Sequence, residues 1–334
     1  MRDGLSTKES TFPRCMTATP LIVRTCNWVG EAILSVPALQ LLESHDFSPR
    51  LIGKRWAADL LSGYAWPVVA QPATHGARLT QWRQLRRQAN AEDSNFDRRL
   101  NTLLLTNSFS SALQARLSGL RALGYRRDGR SLLLAKGEKM PSSGHALVSY
   151  WRLACSFLGI DTPPPPAINW RIAAAAQLAA DARIEQHGLA GGFVLICPFA
   201  ATSFEKQGKT WPGFDEYARS MLAAGHHLMV CPGPGEGSRL SSELPGVTAL
   251  LGVGLGEYAG LLKRAALVVS NDTGPAHLAA AVGAPLISVL GPTNPDQWRP
   301  WGPSVTVVRQ WPSWPSVDEV VTLSRAMLLK PKIA

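Results

Sequence analysis

Among its 334 residues the chain has no uninterrupted apolar run of the ~18 or more residues that a membrane-spanning helix needs, although 46% of it is hydrophobic. The sequence therefore predicts a chain that spans no bilayer. Cysteine is scarce: Cys15, Cys26, Cys155, Cys197 and Cys231 form an odd set without CxxC spacing, which argues against a disulfide framework and against a zinc site. These read as reduced thiols. Acid is short as well, with 24 Asp and Glu against 34 Lys and Arg, and the resulting charge of +10 draws polyanions: nucleic acid, anionic lipid or a phosphorylated substrate. No nucleic-acid recognition motif accompanies the charge, so nucleic acid is not expected as a partner.

Other absences narrow the chemistry. There is no GxxxxGK[ST] phosphate loop and no GxGxxG after the first strand, and "GVGLG" at 252–256 precedes a helix without a convincing ribose-binding acid ~20 residues on, so it reads as a loop. No repeat of 20 to 50 residues is visible. The opening stretch lacks the apolar middle of a signal peptide; residues 1–19 are expected to be a disordered leader, with Met16 an alternative start, and the protein is expected in the cytoplasm.

What is present is an alternation. "LIVRT" at 21–25, "RLIGK" at 50–54, "PVVA" at 67–70 and "NTLLLT" at 101–106 read as strands. Helical spacing over 31–44, 77–91, 110–119 and 145–160 separates or follows them. The prolines of "DTPPPPAINW", 161–170, favour an extended spacer, after which the pattern restarts: strands at 193–198, 227–231, 266–270 and 285–290, helices at 212–224, 256–264 and 275–283. This predicts two α/β lobes, 20–170 and 171–316, followed by a helix and tail over 317–334. Ligands of open α/β sheets sit beyond the carboxyl ends of the strands, so a cleft between the lobes is the expected site. The clusters "RRQ" at 86–88 and "GYRRDGR" at 124–130 place the basic face on the first half.

The densest chemistry is "SNDTGPAHLAAA" at 270–281, between a strand and a helix. Pro275 suits a first helical turn, Gly274 permits close backbone approach, Thr273 adds a hydroxyl, and the N–H groups of the helix start suit a phosphate. A plain N-cap by Asp272 or Thr273 is the competing reading. His277, one turn in, can face the same place.

Residues 268–300, "VVSNDTGPAHLAAAVGAPLISVLGPTNPDQWRP", resemble the signature of the ADP-heptose:lipopolysaccharide heptosyltransferases, glycosyltransferase family 9. "NWVGEAILSVPAL" at 27–39 is similar to the family's first loop and helix, and "KTWP" at 209–212 to its Lys-x-Trp-Pro element. "TNSFSSALQARLSGLRALGYRRDGR" at 106–130 resembles an acceptor-side segment, most like the heptosyltransferase II branch. The resemblance implies a GT-B fold of two Rossmann-like lobes with an interlobe cleft, the donor on the second and the acceptor on the first. It implies an inverting transfer of L-glycero-D-manno-heptose from ADP-heptose to the lipopolysaccharide inner core, at the inner face of the cytoplasmic membrane, without a cofactor or metal. The chain also lacks a DxD-like acidic pair in a suitable loop.

The residues that such a transfer needs can be named. Growing charge on the leaving diphosphate calls for a cation, Lys209, and the acceptor hydroxyl calls for a general base, Glu31, where the family usually has aspartate. Asp272 is the alternative base. Thr202, Ser203, Gly233, Glu236, Asp272, Thr273, Gly274 and His277 join Lys209 as expected donor contacts, and Asn107, Ser108, Arg126 and Arg127 as expected acceptor contacts. Each has a plainer role open to it: Lys209 at the surface, Glu31 complementing a helix dipole, Glu236 in a solvated turn. A family member using another sugar or acceptor, and a catalytically idle nucleotide- or polyanion-binding protein, are the alternatives.

Overall fold

The computed structural model describes residues 18–200 and 208–329, so the expectations for residues 1–17, for Thr202 and Ser203, and for 330–334 lie outside the described residues. Strands β1 (Thr19–Arg24), β2 (Phe47–Gly53), β3 (Val68–Ala70), β4 (Thr102–Leu104), β5 (Ala122–Arg126) and β6 (Lys136–Lys139) form one sheet in the order β3-β2-β1-β4-β5-β6. Strands β7 (Val194–Cys197), β8 (Leu228–Val230), β9 (Thr248–Ala249), β10 (Leu267–Asn271), β11 (Leu286–Val289) and β12 (Val305–Val308) form a second in the order β12-β11-β10-β7-β8-β9. All pairings are parallel. The two orders are the same doubly wound pattern, reversing between β1 and β4 and between β7 and β10.

Parallel strands covered on both faces have no polar side, and Leu21, Ile22 and Val23 of β1 are all buried. Ile22, Ile52 and Leu104 meet Trp82, Leu85 and Ala112 of the helices His75–Glu92 and Phe109–Leu117 on one face. Leu21, Val23, Leu51 and Leu103 turn to the other face, against Leu34 and Leu39 of the helix Val29–Glu43 and Leu153 of the helix Ala146–Leu158. That core continues into the second lobe, through Leu195, Val268 and Leu286 to Leu261 and Leu278. On the far side of the second sheet Val194, Ile196, Val269 and Ile287 enclose Trp211, Tyr217 and Val320. The helix Val317–Leu328 docks there, where the hydroxyls of Tyr217 and Ser324 lie 3.0 Å apart.

The spacer is fastened to both lobes. Asn169 O accepts from Gln40 Nε2 at 2.6 Å, and Trp301 Nε1 donates to Pro165 O at 2.9 Å. Four strands were not anticipated: β5 carries Gly and Arg, β6 is Lys-Gly-Glu-Lys and β9 is two residues long, so their signal is weak, whereas β12, Val-Thr-Val-Val, has the hydropathy of an ordinary strand. Of "GYRRDGR", expected on the basic face, Gly124 to Arg126 end β5 and Arg130 is 0% exposed, so that arginine is not part of the face.

Candidate active site

The reversal points of the two sheets face one another across a cavity of about 1060 Å³. Its first-lobe wall is the loop after β1 and the start of the helix Val29–Glu43: Trp28, Val29, Gly30 and Glu31, joined by Trp56 and Asp59. Its second-lobe wall includes Lys209, Gly233, Glu236, Gly254, Leu255, Asp272, Thr273, Gly274, His277 and Trp298. Every expected donor contact among the described residues is therefore on this wall, with Glu31 opposite.

Local sequence explains how each side chain arrives there. Asn271 ends β10 and uses both sides of its amide: Nδ2 donates to Pro198 O at 2.6 Å, and Oδ1 accepts from the backbone N–H of Trp211 at 2.9 Å. Trp211 is buried, and its indole donates to Pro315 O at 3.0 Å. In the Lys-x-Trp-Pro segment the tryptophan is the anchor and the lysine the reach. Lys209 Nζ lies 2.9 Å from Asp272 Oδ2, the same oxygen that accepts from Thr293 Oγ1 at 2.6 Å. Thr293 went unnoticed as a site residue; its signal was the Gly-Pro-Thr loop following β11.

The helix Gly274–Ala281 starts at Thr273 with Pro275 in its first turn and no side-chain cap, leaving its positive end toward the cavity. His277 is buried, with its Nε2 4.0 Å from Asp272 Oδ1. Burial lowers its pKa to about 4, outweighing the opposing pull of Asp272, so the imidazole is neutral near pH 7. Gly30 presses on this ring: a Cβ at position 30 would fall 2.6 Å from His277 Cδ2, and one at Gly274 3.0 Å from the Val29 Cβ. The starts of two helices, one per lobe, thus lie against each other.

Glu31 sits in the first turn of its helix, and burial raises its pKa above the ordinary value while a hydrogen bond from Tyr150 pulls the other way. A carboxyl poised above its usual range suits a general base. Glu236 folds back so that Oε2 accepts from the Gly233 N–H at 2.7 Å, around Gly235 at φ 83°, a left-handed conformation that favours glycine. Its carboxylate is thereby fixed on the wall instead of free in solvent.

Two wall features escaped the sequence reading. Trp28 lies one residue before the helix and is 62% exposed, an indole face open beside Glu31. Asp59 reaches from the first lobe to the start of the helix Leu255–Arg264 in the second, accepting from Leu255 N–H at 2.6 Å and from Gly256 N–H at 3.3 Å. "GVGLG", read as a loop, is the approach to that helix. By contrast Asn107, Ser108, Arg126 and Arg127 are absent from the cavity wall; they lie after β4 and at the end of β5, farther along the same carboxyl edge.

The model of glycosyltransferase family 9 (heptosyltransferase) matches residues 82–325, nearly three quarters of the chain. The chain belongs to glycosyltransferase family 9. In this family it is similar to lipopolysaccharide heptosyltransferase 3 of Escherichia coli, 32% identical over 138 residues, which is 38% of this chain and 39% of that protein. The chain thus aligns with about two fifths of that relative's length. Its fold is similar to E. coli ADP-heptose lipopolysaccharide heptosyltransferase II, with TM-score 0.75 and 20% identity over 93% of this chain and 98% of the other. It is also similar to an E. coli heptosyltransferase solved with ADP, with TM-score 0.67 and 21% identity over 92% and 99%. The two doubly wound lobes are therefore those of GT-B members of the family.

Proposed function

We propose that the protein is an inverting glycosyltransferase that moves L-glycero-D-manno-heptose from ADP-heptose to the lipopolysaccharide inner core. The observation that carries this reading is the opposition of Glu31 on one wall of the cavity to Lys209, Asp272 and an uncapped helix start on the other. In glycosyl transfer the anomeric carbon passes through an oxocarbenium-like state while negative charge grows on the departing diphosphate. Glu31 takes the acceptor hydroxyl's proton on the face opposite the leaving group. Lys209, held in place by Asp272, and the helix start meet the developing charge where it appears. Glu236 accepts from the ribose hydroxyls. His277, being neutral, serves by shape and hydrogen bonding and not by charge.

Asp272 is the weaker choice of base, because its Oδ2 already serves Lys209 and Thr293 on the donor side. The reading includes no metal: a lysine and a helix end supply the positive charge that a divalent ion supplies elsewhere. Turnover of ADP-heptose should therefore survive a chelator in excess over trace divalent ions, and loss of activity restored by magnesium or manganese would refute this. The acceptor branch is tested by a panel of ADP-sugars and truncated inner cores with analysis of the linkage formed. Transfer of heptose to an inner-core heptose supports the reading, whereas binding of ADP-heptose without turnover on any acceptor favours an idle nucleotide-binding protein.

A further inference from the structure

The four polar residues expected at the acceptor do not line the cavity, and two exposed apolar side chains stand on the elements that follow them. Phe109 opens the helix after β4 and is 47% exposed, and Leu132, in the short helical turn Arg130–Leu133 after β5, is 93% exposed. β4 and β5 are neighbours, and the two elements that follow them pack against each other. Arg126, at the end of β5, and Arg127 after it are both exposed; Arg126 Nε donates to Gly137 O of β6 at 2.7 Å. Asp128 lies 3.7 Å from Arg127.

The tip stands on a rigid base. Arg130 is fully buried and hydrogen-bonds only to neutral acceptors: Nη1 to Thr106 O at 2.6 Å, Nε to Tyr125 O at 2.7 Å and Nη2 to Asn107 Oδ1 at 3.2 Å. Burial lowers its pKa to about 10, so it keeps its charge at neutral pH. It staples the loop after β4 to the loop after β5. Between them Asp128 and Gly129, at φ 53° and 73°, make a tight left-handed turn ahead of the segment that carries Leu132.

A single exposed leucine needs no explanation. A leucine and a phenylalanine held outward on a fixed base, with arginines beside them, match a surface that is apolar within and anionic at its face. We propose that Phe109, Leu132, Arg126 and Arg127 form the docking tip of this protein for an anionic lipid bilayer. The proposal rests on the reading of a lipid-borne acceptor, since the tip and the cavity share the carboxyl edge of the first sheet. Docking there holds the cleft toward the membrane. Leu132 and Phe109 enter the headgroup region, and the arginines meet lipid phosphates.

The test is co-sedimentation of the full chain with phosphatidylcholine vesicles, with and without phosphatidylglycerol, alongside transfer to a soluble, delipidated acceptor fragment. Wild type should prefer the anionic vesicles roughly tenfold or more and release them at high salt. Leu132→Asp should lose about tenfold in vesicle affinity, and joint Arg126→Ala and Arg127→Ala should weaken binding and flatten its salt dependence. Leu178→Asp, at an exposed leucine of the helix Ala174–Gln186, should change nothing. Leu132→Asp should keep wild-type turnover of the soluble fragment.

Equal wild-type binding to neutral and anionic vesicles, unchanged binding of Leu132→Asp, an equal loss with Leu178→Asp, or preference for an oligonucleotide in competition would overturn the proposal. Lost turnover of the soluble fragment in Leu132→Asp would also overturn it, because the tip would then belong to the substrate site. If wild type transfers no heptose but the vesicle pattern holds, the functional reading fails and the docking tip stands.

Discussion

At the residue scale the site depends on a glutamate in an unfavourable place. Burial raises the Glu31 pKa, so the folded protein keeps that proton to higher pH than the unfolded chain does. Stability therefore falls as pH rises through the interval between the ordinary carboxylate value and the raised one, and the ionised base exists only above it. Glu31→Gln should lower the single-turnover rate by roughly 10² to 10⁴ with little change in ADP-heptose affinity. Its Tm at pH 8 should not drop below wild type, and Glu31→Asp should keep much of the activity. A fast Glu31→Gln enzyme would move the base elsewhere. Lys209→Ala should slow transfer by roughly 10² or more, the scale of one lost electrostatic stabiliser. Circular dichroism and thermal melting must show the variant folded, because Asp272 then loses its cation. A near-normal rate would return Lys209 to a structural role.

At the scale of elements, most helices and the long apolar strands were legible because a doubly covered strand is a run of Val, Ile and Leu and a surface helix repeats near every third or fourth residue. β6, "KGEK", and β9, two residues long, carry no such pattern; they are strands because a neighbour offers its edge. The site divided in the same way. Glu31, Lys209, Asp272 and His277 stand in motifs with strong local grammar, whereas Asp59 has none, since its meaning lies in a helix start 196 positions away. That bond and the His145 contact, Nε2 to Arg299 O at 2.8 Å, tie elements of different lobes. Asp59→Ala removes a helix cap worth about 0.5 to 2 kcal/mol, which would shift a closed-to-open equilibrium by roughly 2- to 30-fold. Small-angle scattering should then show a larger radius of gyration without donor, and kcat/KM for ADP-heptose should fall within that range. Asp59→Asn, also a good cap, should behave nearly as wild type. An unchanged radius in Asp59→Ala would mean that other contacts hold the lobes together.

At the scale of the whole molecule, the two lobes repeat one strand order and present equivalent ends to each other. Legibility here came from the chain's rhythm: alternation on either side of a proline spacer announces two α/β units, while their mutual orientation depends on contacts such as Gly30 against His277 that no local pattern encodes. Those contacts have an electrostatic consequence. The helices Val29–Glu43 and Gly274–Ala281 approach through their starts, each bearing about half a positive charge, so like poles are pressed together where the lobes touch. Glu31 and Asp272 compensate in part, but Glu31 resists ionisation there. What offsets the repulsion best is a multivalent anion in the cavity beside both poles. A nucleoside diphosphate would then be more than a ligand of one lobe; it would act as a counter-ion shared by both, and its release would leave the halves facing each other like the matched ends of two magnets.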